Sequence, residues 1–262
     1  MKTQAGLFRG RCCRWGRWVK LGFNHLIWPA KCLHCSADLT EEAHLLCPAC
    51  WADLLACSAG TYCEGCGRDV SDYALVEGRC LPCRGQTTWL DGMARCGVYD
   101  LRFREMILRF KNGATELRAV LSPMADQALH GCTFFDQIEV LAPVPLHWTR
   151  RIRRGYNQSA ILARSLHHPR AGFSRGLVRT RATQPQPVAA TEARRRRNVQ
   201  GAFAVRPAHN RLEGRCICLV DDIKTTGATL NECARILKQK GGAAKVYALV
   251  LAVAGQKTKD PV

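Results

Sequence analysis

From about residue 89 onward, short unbroken apolar runs alternate with stretches whose apolar positions recur at helical spacing. The runs at 92–99, 138–142, 201–205 and 245–253 read as strands, the last of them buried. Leu101, Ile107, Leu108 and Phe110 anchor a helix over 101–110, and 117–129 and 157–166 read as two more. A further run, Cys216-Ile217-Cys218-Leu219-Val220, stops at two adjacent carboxylates, Asp221 and Asp222. Lys224, Thr225, Thr226, Gly227, Ala228 and Thr229 follow, and helical spacing resumes over 230–239. Strands separated by helices need crossovers, so the expected fold is α/β with a mainly parallel sheet. Residues 183–197 carry no period, hold Pro185, Pro187 and four successive Arg, and are expected to form a mobile arginine-bearing loop.

The segment 216–230 has its own chemistry. Open α/β sheets bind ligands at the carboxyl ends of their strands, and hydroxyls with backbone N–H groups at a helix start suit a phosphate. Carboxylates just before a phosphate cradle repel the ligand unless they face something else, such as sugar hydroxyls or Mg²⁺. A phosphorylated sugar meets both demands; a plain strand end with an N-capped helix is the bland alternative.

Composition adds a second, smaller unit. Of 16 Cys in 262 residues, eight fall into Cys-x-x-Cys pairs at Cys32/Cys35, Cys47/Cys50, Cys63/Cys66 and Cys80/Cys83, with gaps of 11, 12 and 13 residues between pairs. Each pair can aim two thiolates at one ion, and two pairs complete a tetrahedral shell. Taken in order they make two zinc ribbons with about two structural ions, and interleaved ligand sets are the alternative that the spacing leaves open. Four redox Cys-x-x-Cys motifs in succession would be excessive. No apolar run reaches membrane-spanning length and the N-terminal segment is broken by Arg and Lys, so the chain is expected to be cytoplasmic, with reduced thiols.

The formal net charge of +18 is concentrated in two places. Residues 1–31 hold seven Lys/Arg and no acid, and residues 150–197 hold thirteen Arg against Glu192. The first patch is interleaved with Trp15, Trp18, Phe23 and Trp28, which suits an anionic surface or equally a poorly ordered tail. His147, His167 and His168 are expected on the surface without a role.

Three segments bear a family resemblance. The string from Asp221 to Thr229 resembles the loop of type I phosphoribosyltransferases, with Lys224 at a position that is usually apolar. Pro143-Val144-Pro145-Leu146 followed by Arg150, Arg151, Arg153, Arg154, Gly155, Tyr156, Asn157 and Gln158 resembles the signature of the ComF/GntX family, as does Arg179-x-Arg181-x-Thr183-x-x-Gln186 leading to Arg194, Arg197 and Asn198. With the cysteine pairs, the likeness covers about residues 30–254. Ala189, smaller than the family's usual residue, and a longer spacing from Gln186 to Asn198 depart from the pattern.

The resemblance implies a type I phosphoribosyltransferase fold preceded by a zinc-ribbon domain. Its expected limits are a basic aromatic extension at 1–29, a double zinc ribbon at 30–88, a phosphoribosyltransferase-like domain at 89–254 and a tail at 255–262. It further implies that Thr225, Thr226, Gly227, Ala228 and Thr229 hold the 5-phosphate of 5-phosphoribosyl-1-pyrophosphate (PRPP) and that Asp221 and Asp222 face its ribose. The turn at Pro143, Val144 and Pro145, with Arg154, would take the pyrophosphate, and Mg²⁺ would accompany the ligand. Two functions follow from it. One is transfer of a phosphoribosyl group to an acceptor that the residues do not name. The other is non-catalytic handling of single-stranded DNA beside a DNA-uptake helicase, with the PRPP loop kept as a ligand site. Glutamine-dependent chemistry is not expected, because no Cys follows Met1 and no room exists for a glutaminase domain. The oligomeric state stays open.

Overall fold

The computed structural model describes residues 30–39, 45–182, 191–206 and 212–254. The basic aromatic extension, the tail and the 183–190 part of the expected arginine loop lie outside them. The chain divides into two compact units, residues 1–51 and 52–262, and the boundary falls within helix α1 (Pro48–Ser58). Pro48 opens that helix, where a missing N–H costs nothing.

The two cysteine knuckles repeat one backbone design at an offset of 31 residues. In the first, Cys32 N donates to Ala37 O (2.8 Å), Ser36 N to Cys32 O (3.0 Å) and Leu39 N to Ala30 O (2.8 Å). In the second, Cys63 N donates to Arg68 O (2.9 Å), Gly67 N to Cys63 O (2.6 Å) and Val70 N to Thr61 O (3.1 Å). Bridges Lys31 to Asp38 and Tyr62 to Asp69 close the two loops in the same way. Each knuckle turns on a residue in the left-handed region, Ser36 at φ 63° and Gly67 at φ 71°. The second knuckle is completed by β1 (Leu75–Val76), β2 (Arg79–Cys80) and the short α2 (Leu81–Arg84).

The rest of the larger unit runs β3 (Gly92–Val98), α3 (Leu101–Lys111), α4 (Arg118–His130), β4 (Val140–Pro143), α5 (Trp148–Arg154), α6 (Gln158–Ser165), β5 (Gly172–Phe173), β6 (Leu177–Arg179), α7 (Glu192–Val199), β7 (Phe203–Val205), β8 (Cys216–Lys224), α8 (Ala228–Gly241) and β9 (Lys245–Val253). Five strands form one sheet in the order β3-β9-β8-β4-β5, parallel throughout. All seven residues of β3 and all but Lys245 of β9 are buried, as a sheet covered on both faces requires. On one face Cys233, Ala234 and Leu237 of α8 pack with Ile217, Leu219, Val246 and Ala248, together with Leu177 and Phe203 of the antiparallel β6–β7 pair. Helices α4 and α6 pack against each other and onto the sheet, and Ser165 Oγ donates to Ser122 Oγ at 2.7 Å between them.

The second knuckle is built into this unit. Arg95 of β3 is buried, its charge met by Asp69 and its guanidinium carbon 4.9 Å from the centre of the Tyr62 ring. A Cβ added at Gly67 would lie 2.8 Å from Val253 Cγ2 and 3.0 Å from Met93 Sδ. Here only glycine permits both the dihedral and the close approach.

Candidate functional site

Chain direction through the sheet singles out one crevice. From β4 the chain crosses by α5 and α6 to β5 on one side, whereas from β8 it crosses by α8 to β9 on the other. The two connections diverge between the carboxyl ends of β4 and β8, the switch point at which open α/β sheets leave a crevice. Pro143 pairs with Val220 in register, and Val144 N donates to Val220 O at 2.9 Å. Pro143, Val144 and Pro145 are thereby fixed beside Asp221 and Asp222. Strand β8 continues through both carboxylates to Lys224 instead of ending at Val220, so the pair sits inside the ladder, with Asp221 opposite Val250.

Successive strand residues face opposite ways, and the two carboxylates have different partners. Asp221 Oδ1 accepts from Ser159 Oγ of α6 (2.9 Å) and from Asp222 N (2.9 Å). Asp222 Oδ2 lies 3.2 Å from Lys111 Nζ, at the end of α3. Burial, and then the charge of Asp222, push the Asp221 carboxyl up to about 7, against the pull of those hydrogen bonds and of Lys111. A carboxyl raised in the folded state destabilises it increasingly as pH climbs from the ordinary carboxylate range to about 7. The pair is thus held at a cost to the fold, as binding sites often are.

After β8 the backbone turns through Thr225, Thr226 and Gly227, the last at φ 78°, into α8. Ala228 N donates to Thr226 Oγ1 at 3.4 Å. Thr229 lies in the first turn of α8, so Thr225 to Thr229 surround the helix start as expected. Lys224 folds back over this turn, its Cε 3.0 Å from where a Cβ of residue 227 would be.

Four consecutive residues tie the crevice together. Gly155, at φ 78°, caps α5. Tyr156 donates its hydroxyl to Phe110 O and accepts from Gly113 N (3.1 Å), while Gln158 Nε2 donates to Lys111 O at 3.2 Å. Asn157 Nδ2 donates to Val144 O (3.0 Å), and its Oδ1 accepts from Ser159 N (3.1 Å) to cap α6. The Gly-Tyr-Asn-Gln string therefore positions Lys111, the Pro143–Pro145 turn and Ser159 around Asp221 and Asp222. Lys111 and Ser159 had no signal in the sequence, because they reach the site only through the packing of α3 and α6.

Beside the crevice lies a cavity of about 450 Å³, lined by Pro143, Pro145 and Tyr156 among others and by Arg151, Arg164, Arg175, Arg179 and Arg206. Arg154, expected at the pyrophosphate turn, is not in its lining; it ends α5 near Arg150 and Tyr156. Two expectations need correction. Arg194 to Arg197 lie on α7, not in a loop: Thr191 caps that helix by accepting from Arg194 N, a signal present in the sequence but hidden by the lack of apolar period. His147 is buried, not on the surface, and caps α5 by accepting from Thr149 N. His168 likewise has partners, accepting from Ala171 N (2.8 Å) and contacting Phe135 O (3.0 Å).

The cysteines form two clusters in sequential order, Cys32, Cys35, Cys47 and Cys50, and Cys63, Cys66, Cys80 and Cys83, with the thiols of each within 4.8 Å of one another. Their surroundings fit a tetrahedral cation. Cys63 Sγ accepts from Gly65 N (3.3 Å) and Cys80 N (3.2 Å). Burial alone would raise its pKa, yet the N–H groups of Cys80 and Cys66 outweigh it and bring Cys63 down to about 7. Cys83, by contrast, is pushed up by burial and by its thiol neighbours Cys80, Cys66 and Cys63. Filled by four thiolates, each site is a closed, structural zinc site.

Comparison with known proteins agrees. The double zinc ribbon domain family matches residues 23–84. Competence protein F of Haemophilus influenzae is 30% identical over 217 residues, which are 80% of this chain and 92% of that protein. The chain belongs to the ComF family. Other members are Competence protein ComFC of Bacillus subtilis, 30% identical over 246 residues (84% of this chain, 93% of that protein), and DNA utilization protein YhgH of Escherichia coli, 30% identical over 222 residues (82% and 93%). This ComF-family chain has an α/β fold built on a parallel five-stranded sheet, with an N-terminal double zinc ribbon whose two four-cysteine clusters suit about two structural zinc ions. Among the described residues, no helix is long and apolar enough to cross a membrane.

Proposed function

We propose that the switch-point crevice binds PRPP with Mg²⁺ and that this cytoplasmic protein works in the uptake or use of DNA, as the names of its relatives suggest. The observation that carries the ligand is the placement of Asp221 and Asp222 near the carboxyl end of β8, two residues ahead of the Thr225–Thr229 turn and beside Pro143, Val144 and Pro145. Backbone N–H groups at the start of α8 would hold the 5-phosphate. The carboxylates would face the ribose hydroxyls, with Mg²⁺ toward the pyrophosphate. In the catalytic reading an acceptor attacks the anomeric carbon, the bond to pyrophosphate breaks, and the acceptor's proton is released. Arg154 and the turn would then stabilise the leaving group. Calorimetry with PRPP and Mg²⁺ tests the site: the wild type should bind, more tightly as pH rises through about 7 and Asp221 ionises. Asp221→Asn with Asp222→Asn should abolish the heat, and a silent wild type would reject the ligand.

A second reading is favoured by α7, where Arg194, Arg196 and Arg197 are exposed. They would meet the backbone of single-stranded DNA, with or without turnover at the crevice and alongside a helicase of DNA uptake. Changing Arg194 to Arg197 to Ala should then flatten the salt dependence of oligonucleotide binding, a slope that counts phosphates neutralised. Binding that ignores salt would reject it.

A further inference from the structure

The arginine-lined cavity is larger than a pyrophosphate turn needs. Its lining includes Pro143, Pro145 and Tyr156, but its cations come from four separate places: Arg151 on α5, Arg164 on α6, Arg175 and Arg179 before and at the end of β6, and Arg206 after β7. No carboxylate is among its lining residues. Partial desolvation, and then the neighbouring charges of Arg164, Arg151 and Arg206, depress the pKa of the largely exposed Arg175. Such a convergence of like charges from distant parts of the chain is stabilised by an anion.

Three of the lining arginines rest on aromatic rings outside the lining: Arg164 and Arg175 lie over the Phe173 ring at 4.7 and 5.7 Å, and Arg179 lies over Phe203 at 5.2 Å. Stacking occupies the face of a guanidinium and leaves its N–H edge for an acceptor. Trp148, in the lining, is 64% exposed. An exposed tryptophan beside arginines suits a planar ring attached to a phosphate. The volume is within the range of small-ligand sites, enough for one such unit and not for a run of them.

We infer that this cavity is a nucleotide site, in which Arg164, Arg175 and Arg206 take a 5′-phosphate and Trp148 stacks on the base. The nucleotide can be free or the 5′-terminal unit of a strand. The site stands apart from the Thr225–Thr229 turn but shares Pro143 and Pro145 with the turn proposed for the pyrophosphate of PRPP.

Calorimetry on the full chain tests it with thymidine 5′-monophosphate, thymidine, and a short oligothymidylate with and without a 5′-phosphate. Circular dichroism confirms that each variant is folded, which the exposure of Arg164 and Arg175 leads us to expect. The monophosphate or the 5′-phosphorylated strand should bind and thymidine should not. Arg164→Ala with Arg175→Ala should weaken binding by about tenfold or more, since hydrogen bonds to a charged group are lost. Thr225→Ala with Thr226→Ala should leave it unchanged, while reducing any heat from PRPP. If only the monophosphate binds, the ligand is free nucleotide; if the phosphorylated strand binds and the monophosphate competes, it is a strand end. The inference is overturned if neither binds, if the arginine variant binds as wild type does, if the 5′-phosphate makes no difference to the strand, or if the loss follows the threonine variant instead.

Discussion

The two cysteine knuckles share a backbone and differ in what their equivalent residues hold. Asp38 of the first pairs with Lys31 of the same loop at 3.0 Å, with the two side chains 70% and 58% exposed. Asp69, its counterpart, instead meets Arg95 of β3, whose side chain is 1% exposed, and Tyr62, the counterpart of Lys31, stacks on the same guanidinium. The residue after the second cysteine also differs: Ser36 bears a left-handed dihedral with its side chain in place, whereas Gly67 uses the missing Cβ to seat on Val253 and Met93. One metal-binding turn has therefore been put to two uses. The first is a self-contained loop, while the second also neutralises a buried cation in a sheet strand.

The largest test of that contrast is loss of the metal. Cys63→Ser should reduce zinc from about two ions to one and lower the main thermal transition by roughly 10–20 °C, corresponding to about 5 kcal/mol. Cys35→Ser should lose one ion as well yet leave that transition nearly unmoved; equal shifts in calorimetry would erase the distinction. Next comes the aspartate. Asp69→Ala strands a buried guanidinium and should cost about 3 kcal/mol by chemical denaturation, with much of it recovered by adding Arg95→Met, whereas Asp38→Ala should stay within about 0.5 kcal/mol. Smallest is the turn residue. Gly67→Ala should cost about 2 kcal/mol from dihedral strain and overpacking, and Ser36→Gly should gain up to about 1 kcal/mol by relieving strain.

Apolar periodicity carried most of the framework. Strand β9 matches the run at 245–253, and α3, α4 and α6 begin and end within a residue of their expected limits. Helices without an apolar stripe were hidden: half of α7 is arginine, and α5 and α1 were not marked by an apolar period. At the site, the expected neighbourhood of Asp221, Asp222 and the Thr225–Thr229 turn with Pro143–Pro145 is present, and the cysteine ligands group in sequential order. Lys111, Ser159 and the gathering of Arg164, Arg175 and Arg206 were not legible. They are brought together by crossovers between distant segments, and no local spacing encodes that.

Strand order has a consequence for the growing chain. Strands β3 and β4 are made early, yet they are not neighbours; β8 and β9, made last, occupy the two positions between them. Strand β3 therefore lacks its ladder partner, β9, until residue 253 has emerged. The second knuckle can close on its metal long before then, but its seat on Val253, the last residue of β9, is completed only at the end of the sheet's synthesis.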